Sequence, residues 1–234
     1  MNKILAFGSA VIIIGLFVAI PLALSGAIAP YPIAPYPAIT WKDNFQSYPC
    51  NKFPSKWTLL FNGVGTSHQG VSCTVAFDGT HSLHLLGQYG WSATVARDVP
   101  LNTNTIGLSV WIQSAATSDT ADYTGTVGFY WKPSSTYTWG VHIAVVGFQG
   151  NGKIIYQDAG QTIGAWTPNT WVKITIILNK ATSTATVFVN DVFVGSFAAA
   201  TSFPDAMSNI QSVSFEGQWA NANVWFDAVE VFTL

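Results

Sequence analysis

The sequence predicts an all-β fold, a two-sheet antiparallel sandwich preceded by an apolar N-terminal helix that is a signal or an anchor. Beyond residue 40, short runs rich in β-branched and aromatic residues recur between Gly, Asn, Pro and Ser. No long window repeats its apolar residues every 3.6 positions, as an amphipathic helix would. Apolar and polar residues instead alternate within most runs, which is typical of strands with one buried face.

Residues 1–29 are the predicted signal peptide or membrane anchor. A nearly unbroken apolar run from Ile4 to Leu24 follows one basic residue, Lys3. Because about 20 apolar residues cross a bilayer, the run suits either a cleaved leader or a retained span. An uncleaved segment would make the membrane a partner of this chain. The positive-inside rule places the remainder of the chain outside.

Residues 30–40 form a predicted Pro/Tyr-rich linker, and the sandwich is predicted to occupy residues 41–234. The linker repeats Ala-Pro-Tyr-Pro at residues 29–32 and 34–37. Alternating prolines remove backbone donors and favour extended polyproline II structure. We therefore expect a stiff spacer between the leader and the sandwich.

Eleven strands are predicted from residue 82 onward. Turn sequences such as Gly150-Asn151-Gly152 and Asn190-Asp191 separate them. The predicted strands are Ser82–Leu86, Trp91–Arg97, Ile106–Gln113, Thr126–Trp131, Trp139–Phe148, Lys153–Gln157, Trp171–Asn179, Ala185–Asn190, Val192–Phe197, Ile210–Glu216 and Asn223–Phe232.

Alternation assigns the two faces of these strands. Trp111 points away from the core side chains of its own strand, and Glu216 points away from Val213 and Phe215. The predicted core positions of two other runs are Ile106, Leu108, Val110, Ile112, Val172, Ile174, Ile176 and Leu178.

The charge content limits the classes of partner. Only 9% of the residues are charged, against about 25% in typical soluble domains, and the net charge is −2. Lys and Arg do not cluster anywhere along the chain. A nucleic acid partner is therefore excluded, because such binding depends on a basic surface.

The two cysteines, Cys50 and Cys73, favour a disulfide. An even pair in an exported chain is usually oxidised, and closing this loop contributes about 3 kcal/mol in the chain-entropy account. Two buried free thiols are the alternative.

Several short motifs between residues 43 and 232 resemble the laminin-G-like and concanavalin A-like lectin and glucanase domains. They are Asp43-Asn44-Phe45, the run from Phe77 to Leu85, Gly90 to Ala93, Thr170 to Ile174, Val187 to Asp191 and Trp225 to Val231. The resemblance implies a jelly-roll sandwich of two curved antiparallel sheets. It also implies a ligand site on the concave sheet and frequently a calcium ion.

Asp43 and Asp227 are the candidate ligands of that structural calcium. Asp227 lies where the closing strands of such sandwiches present a metal ligand, and Asp43 lies near it if the first and last strands pair. The alternative is that both carboxylates accept backbone hydrogen bonds. No other cofactor is predicted.

The enzyme motifs of this fold are incomplete. Glycosidases with this architecture carry paired carboxylates in a Glu-x-Asp-x-x-Glu strand, whereas Glu216 is followed by Gln218. His142 lacks the Gln-x-His context of polysaccharide lyases, and Gln113 with Glu216 matches glutamic peptidases only in residue type. We predict no catalytic residues, with an acid-active hydrolase as an alternative.

Aromatic and polar side chains on the concave sheet are the predicted ligand site. Flat rings stack on sugar faces while neighbouring polar groups bind hydroxyls. The alternative is that a second layer of the protein or a neighbouring subunit covers these rings. The sequence thus predicts an extracellular, surface-exposed recognition module that binds a glycan or a protein partner. Its candidate residues are Trp111, Tyr130, Trp139, His142 and Glu216.

A structural subunit of an envelope, filament or virion coat is the other alternative, with copies assembled through strand or tail exchange. Four prolines between residues 30 and 37 make that segment a poor donor strand. Only residues 38–45 remain suitable for pairing with another copy in a homo-oligomer.

Overall fold

The computed structural model describes residues 38–115, 121–132, 140–199, 205–218 and 222–234. The predicted leader, most of the linker and Trp139 lie outside these ranges. In the part of the chain that is described, no helix is long and apolar enough to cross a membrane.

The described residues form fifteen strands and two short 3₁₀ helices, Thr66–His68 and Gln157–Ala159. The strands are β1 (Ala38–Asp43), β2 (Thr58–Asn62), β3 (Gly70–Ser72), β4 (Ser82–Leu86), β5 (Ala93–Asp98), β6 (Thr105–Ser114), β7 (Tyr123–Trp131), β8 (Val141–Gln149), β9 (Lys153–Tyr156), β10 (Gln161–Ala165), β11 (Val172–Asn179), β12 (Thr184–Val189), β13 (Val192–Ala198), β14 (Ser212–Gly217) and β15 (Asn223–Thr233).

The strands form two antiparallel sheets. One has seven strands in the order β10-β9-β8-β7-β14-β5-β2. The other has eight, in the order β13-β12-β11-β6-β15-β4-β3, with β1 also paired to β15. Neighbours distant in sequence lie side by side, as in a jelly roll. The predicted fold class, an all-β antiparallel jelly-roll sandwich, is confirmed.

All eleven predicted strands are present, and β4 has the predicted bounds. Four strands were not predicted: β1, β2, β3 and β10. Of these, β3 has three residues, and β1 and β10 expose most of theirs, so they carry little of the alternation that reveals a half-buried strand.

The core lies between the sheets, on the predicted faces. The predicted core residues of β6 and β11 are at most 3% exposed. Phe215 of β14 stacks on Phe226 of β15, with ring centroids 4.9 Å apart and an interplanar angle of 9°. This contact joins the two sheets and turns Glu216, the next residue in β14, away from the core.

A disulfide joins Cys50 to Cys73, and the Cα atoms are 5.7 Å apart. The predicted bridge is confirmed. Cys73 directly follows β3, and Cys50 lies in the loop after β1. The bridge therefore fixes this loop to the end of the eight-stranded sheet.

Strand β1 pairs with β15 of its own chain, from Ala38 opposite Thr233 to Asp43 opposite Val229. It starts within the predicted linker, whose last three residues are strand. The segment that remained suitable for pairing with another copy therefore pairs with β15 of its own chain.

Candidate functional site

Three predicted ligand residues meet on the outer face of the seven-stranded sheet. Tyr130 of β7 lies opposite His142 of β8 in the strand register. Glu216 lies on β14, which pairs with β7 on its other edge. Each of these three residues is next to a fully buried core residue in its own strand. Because successive side chains of a strand point to opposite faces, the three side chains point away from the core.

Glu216 is held by its cross-strand neighbours. The hydroxyl of Thr94 on β5 donates to Oε1 at 2.8 Å, and that of Thr126 on β7 donates to Oε2 at 2.9 Å. The Gln218 amide also donates to Oε2. Only 8% of Glu216 is exposed, so these donors replace most of its hydration.

His142 connects the carboxylate to the aromatic part of the site. Its Nε2 lies 3.5 Å from Glu216 Oε1, and its Nδ1 forms a hydrogen bond of 3.0 Å with the Ser214 hydroxyl. The Tyr130 ring meets the imidazole edge to face, with centroids 4.9 Å apart. Burial raises the pKa of Tyr130, which keeps the phenol protonated as a hydrogen-bond donor.

A cleft of about 320 Å³ opens over these groups. We call it the Glu216 cleft, and it is lined by Phe61, Trp91, Ser92, Tyr130, His142 and Glu216. Trp91 is 41% exposed. Its indole N–H donates to Asn62 at 3.0 Å, and Phe61 meets its ring edge to face. The cleft therefore offers one oriented aromatic ring beside a cluster of polar groups.

Gly140 makes room for Tyr130. A Cβ atom at this position would lie 1.9 Å from Cζ and 2.0 Å from the hydroxyl oxygen of Tyr130. Only glycine allows the ring to lie there. The sequence does not reveal this contact, because Gly140 and Tyr130 become neighbours only when β7 and β8 pair.

Trp91 and Phe61 were not among the predicted site residues. The sequence pattern predicts Trp91 at the start of a strand, whereas Trp91 follows the turn at Tyr89-Gly90 and forms an isolated bridge with Gln88. The Gly90-Trp91-Ser92 sequence was a usable signal, since turns at strand ends commonly carry binding residues. Phe61 lies on β2, a strand that was itself missed.

The structure does not bring Trp111 to the cleft. Trp111 lies on β6 of the other sheet, and its ring stacks on Phe77 with centroids 3.7 Å apart. Its outward orientation was predicted correctly, but alternation does not tell which sheet a strand joins. Trp139 lies outside the described residues.

Gln113 and Glu216, the peptidase-like pair, are also separated. Gln113 points outward from β6 in the eight-stranded sheet, opposite Trp225 of β15. Glu216 points outward from the seven-stranded sheet. The core lies between them, so the two side chains cannot act on one bond.

Asp43 and Asp227, the candidate calcium ligands, both accept hydrogen bonds from the protein. Asp43 accepts hydrogen bonds from the Phe45 amide, the Tyr48 hydroxyl and the Trp57 indole, at 2.9 to 3.0 Å. These donors take up three of the roughly four lone-pair sites of the carboxylate.

Asp227 is fully buried and caps a loop. Its Oδ2 accepts from the amides of Phe77 and Asp78, and its Oδ1 accepts from that of Ala228, at 2.7 to 2.9 Å. Burial raises its pKa, although these backbone hydrogen bonds oppose the rise. The geometry matches the alternative interpretation, in which these carboxylates accept hydrogen bonds from the protein.

Neither a protein-family model nor a curated protein sequence matches the chain. Solved structures do. A structure named sialidase has a TM-score of 0.61 at 12% identity; the match covers 84% of this chain but only 19% of that one. The catalytic domain of a glycoside hydrolase family 131 protein from Coprinopsis cinerea has a TM-score of 0.56 at 12% identity, covering 82% of this chain and 93% of that one.

A mutant of the Emp46p carbohydrate recognition domain has a TM-score of 0.50 at 6% identity, covering 84% of this chain and 97% of that one. Identities this low establish the fold alone. Lectin domains and glycoside hydrolases occur together among these structures, so the fold accommodates both binding and catalysis. The chain therefore has the concanavalin A-like jelly-roll fold that its sequence motifs resemble.

Proposed function

We propose that this chain is an extracellular recognition module that binds an uncharged glycan in the Glu216 cleft. The observation that carries the proposal is the pairing of an oriented, buried carboxylate with an exposed indole in one cleft. A sugar ring can stack on Trp91 while its hydroxyls donate to Glu216 and exchange hydrogen bonds with Tyr130 and His142.

The charge of the cleft favours an uncharged sugar. Among the described residues that line it, Glu216 is the only carboxylic acid, and no Lys or Arg accompanies it. A uronate or sulfated sugar would bring a second negative charge into a partly desolvated site, where like charges repel strongly. Hydroxyl groups, in contrast, donate to the carboxylate without adding charge.

Binding is favoured over glycoside hydrolysis. Hydrolysis by the common mechanisms requires two carboxyl groups roughly 5 to 10 Å apart, across the scissile bond. Among its described lining residues the Glu216 cleft offers one, and both oxygens of that carboxylate accept hydrogen bonds from neighbouring side chains. This arrangement suits a fixed hydrogen-bond acceptor better than a proton-transferring pair.

The disulfide supports the extracellular part of the proposal. Cys50 and Cys73 are bonded, and disulfides persist mainly in oxidising compartments. The apolar N-terminal run is consistent with export, either as a leader or as an anchor.

A glycan array tests the proposal. The full-length protein, purified in mild detergent, is labelled and compared with Trp91→Ala and Glu216→Gln variants, and thermal unfolding checks that each is folded at the assay temperature. Glu230→Gln, a change of a partly exposed carboxylate on the eight-stranded sheet, is the matched control. We expect neutral oligosaccharides to be retained by the wild type and the control, with about tenfold weaker retention by both cleft variants. Retention of no glycan, or equal retention by all four proteins, would contradict the proposal.

A further inference from the structure

A second and larger hollow lies on the other sheet. Its volume is about 470 Å³, and it opens on the outer face where β3, β4 and β15 lie side by side. We call it the Trp225 groove, and its lining includes Asn51, Ser72, Thr74, His84, Asn223 and Trp225. It lies on the other sheet from the Glu216 cleft, and the two hollows share no described lining residue.

The lining of the Trp225 groove is polar, and the titratable side chains among its described residues are the imidazoles of His68 and His84. Among the described residues around it there is no Asp, Glu, Lys or Arg. Amides and hydroxyls from Asn51, Ser72, Thr74 and Asn223 supply both donors and acceptors. An ionic ligand would find no counter-charge here, whereas a ligand with many hydroxyl groups would find partners of both kinds.

An aromatic surface forms one wall. Trp225 of β15 lies directly opposite His84 of β4, and their rings are 5.3 Å apart with an interplanar angle of 32°. His84 Nε2 is 2.8 Å from the Asn223 amide oxygen, which fixes the imidazole against the indole. Burial lowers the pKa of His84, so the wall is uncharged at neutral pH.

The groove is rigid before any ligand arrives. The Gln69 amide donates to the carbonyls of Asn62, Gly65 and Leu86 at 3.0 to 3.2 Å and accepts from the Leu86 amide at 2.8 Å. The Cys50–Cys73 disulfide fixes the opposite side. A preformed site loses little conformational entropy on binding.

We propose that the Trp225 groove is a second saccharide-binding site that takes an uncharged sugar. The apolar face of one sugar ring lies on the Trp225 indole, and its hydroxyls bind Asn223, Ser72 and Thr74. The Asn223 amide has two N–H groups and two acceptor lone pairs, and the contact with His84 engages one of these four. This site does not depend on the function proposed for the Glu216 cleft.

Fluorine NMR distinguishes the two sites. The full-length protein is labelled with 5-fluorotryptophan in detergent, and the resonances of Trp91, Trp225 and Trp171 are assigned with single Trp→Phe variants. Cellohexaose, maltohexaose and mannohexaose are the probes, each titrated to saturation or to its solubility limit. Trp171, which lines neither hollow, is the internal control.

We expect at least one probe to shift the Trp225 resonance saturably, and to do so equally in Glu216→Gln. Asn223→Ala should weaken that binding about tenfold while the Trp91 response is unchanged. If Asn223→Ala does not fold, Thr74→Ala at the exposed rim takes its place.

Each outcome decides one proposal or both. Shifts of Trp225 alone support the second site and contradict the function proposed for the Glu216 cleft. Shifts of Trp91 alone overturn the second site and leave the first standing. Shifts of neither resonance with all three probes overturn both.

Discussion

At the scale of single residues, the candidate site depends on how the Glu216 side chain is oriented by hydrogen bonds while it is nearly buried. Thr94 donates to Oε1, and the Ser92 hydroxyl at the edge of the cleft forms a hydrogen bond of 2.9 Å with Thr94. A chain of hydroxyl groups therefore runs from the cleft to the carboxylate. Networks of this kind stabilise a fold only when every member has a partner.

Removing one donor should therefore destabilise the protein. Thr94→Val keeps the shape of the side chain but leaves Glu216 Oε1 without this hydroxyl, and we expect a loss of about 1 to 3 kcal/mol in the free energy of unfolding. Thr186→Val is the matched control, because the Thr186 hydroxyl bonds only to Ser196 at the exposed surface of β12. It should cost less than about 0.5 kcal/mol. Urea unfolding of the two variants measures both losses in the free energy of unfolding. Equal losses would mean that the hydrogen bonds around Glu216 do not stabilise the protein.

Tyr48 gives a pH-dependent prediction. Burial, together with the Asp43 carboxylate that accepts its hydrogen bond at 2.9 Å, raises the pKa of Tyr48 far above its ordinary value. A raised pKa means that folding favours the protonated phenol. This contribution is fully present below about pH 10, the pKa of an unfolded tyrosine, and is lost as the pH rises from there through the folded-state pKa.

Tyr48→Phe should therefore flatten the alkaline side of the stability curve. The variant is less stable than the wild type at neutral pH, because the partly buried Asp43 carboxylate loses a donor. The gap between the two proteins should narrow above about pH 10. Free energies of unfolding measured from neutral to strongly alkaline pH test this, and parallel curves for the two proteins would refute it.

At the scale of elements, the end of β14 is positioned by close backbone contact. Gly87 directly follows β4, and a Cβ there would lie 2.1 Å from the Gln218 carbonyl oxygen and 2.3 Å from that of Gly217. These are backbone atoms, so they cannot turn aside as a flexible side chain can. The Gln218 side chain also donates a hydrogen bond to Glu216, so a shift of the Gln218 backbone would disturb the Glu216 cleft.

Gly87→Ala should consequently destabilise the protein and weaken glycan binding together. We expect a loss of about 1 to 3 kcal/mol from overpacking. Gly164→Ala in β10 is the control, because its added Cβ would meet Ile154 at an ordinary 3.4 Å. Thermal unfolding and glycan retention of the two variants test the expectation. If Gly87→Ala is as stable as Gly164→Ala, the backbone at Gly217 and Gln218 is able to move away from residue 87, and the expectation is wrong.

The elements also show what the sequence could and could not predict. Runs such as β6 and β11 alternate over many residues, so their presence and buried faces followed from the pattern. No comparable pattern in the sequence indicates the order of the strands within a sheet. Trp111 and Glu216 both point outward from predicted strands, yet only the tertiary structure shows that they lie on different sheets.

At the scale of the whole molecule, the sandwich presents one proposed site on each sheet. The Glu216 cleft contains a single negative charge, and the Trp225 groove contains none among its described lining residues. Both suit hydroxyl-rich ligands, in keeping with a chain whose surface is polar but sparsely charged. Two sites on one rigid body would allow a polysaccharide to be held by avidity, even if each site alone is weak.

A crystal structure with the best-retained array oligosaccharide would show whether the Glu216 cleft holds a sugar. We expect electron density for a sugar ring against Trp91, with a hydroxyl oxygen within about 3 Å of a Glu216 carboxylate oxygen. Density for the sugar elsewhere, with the Glu216 cleft occupied only by solvent, would contradict it.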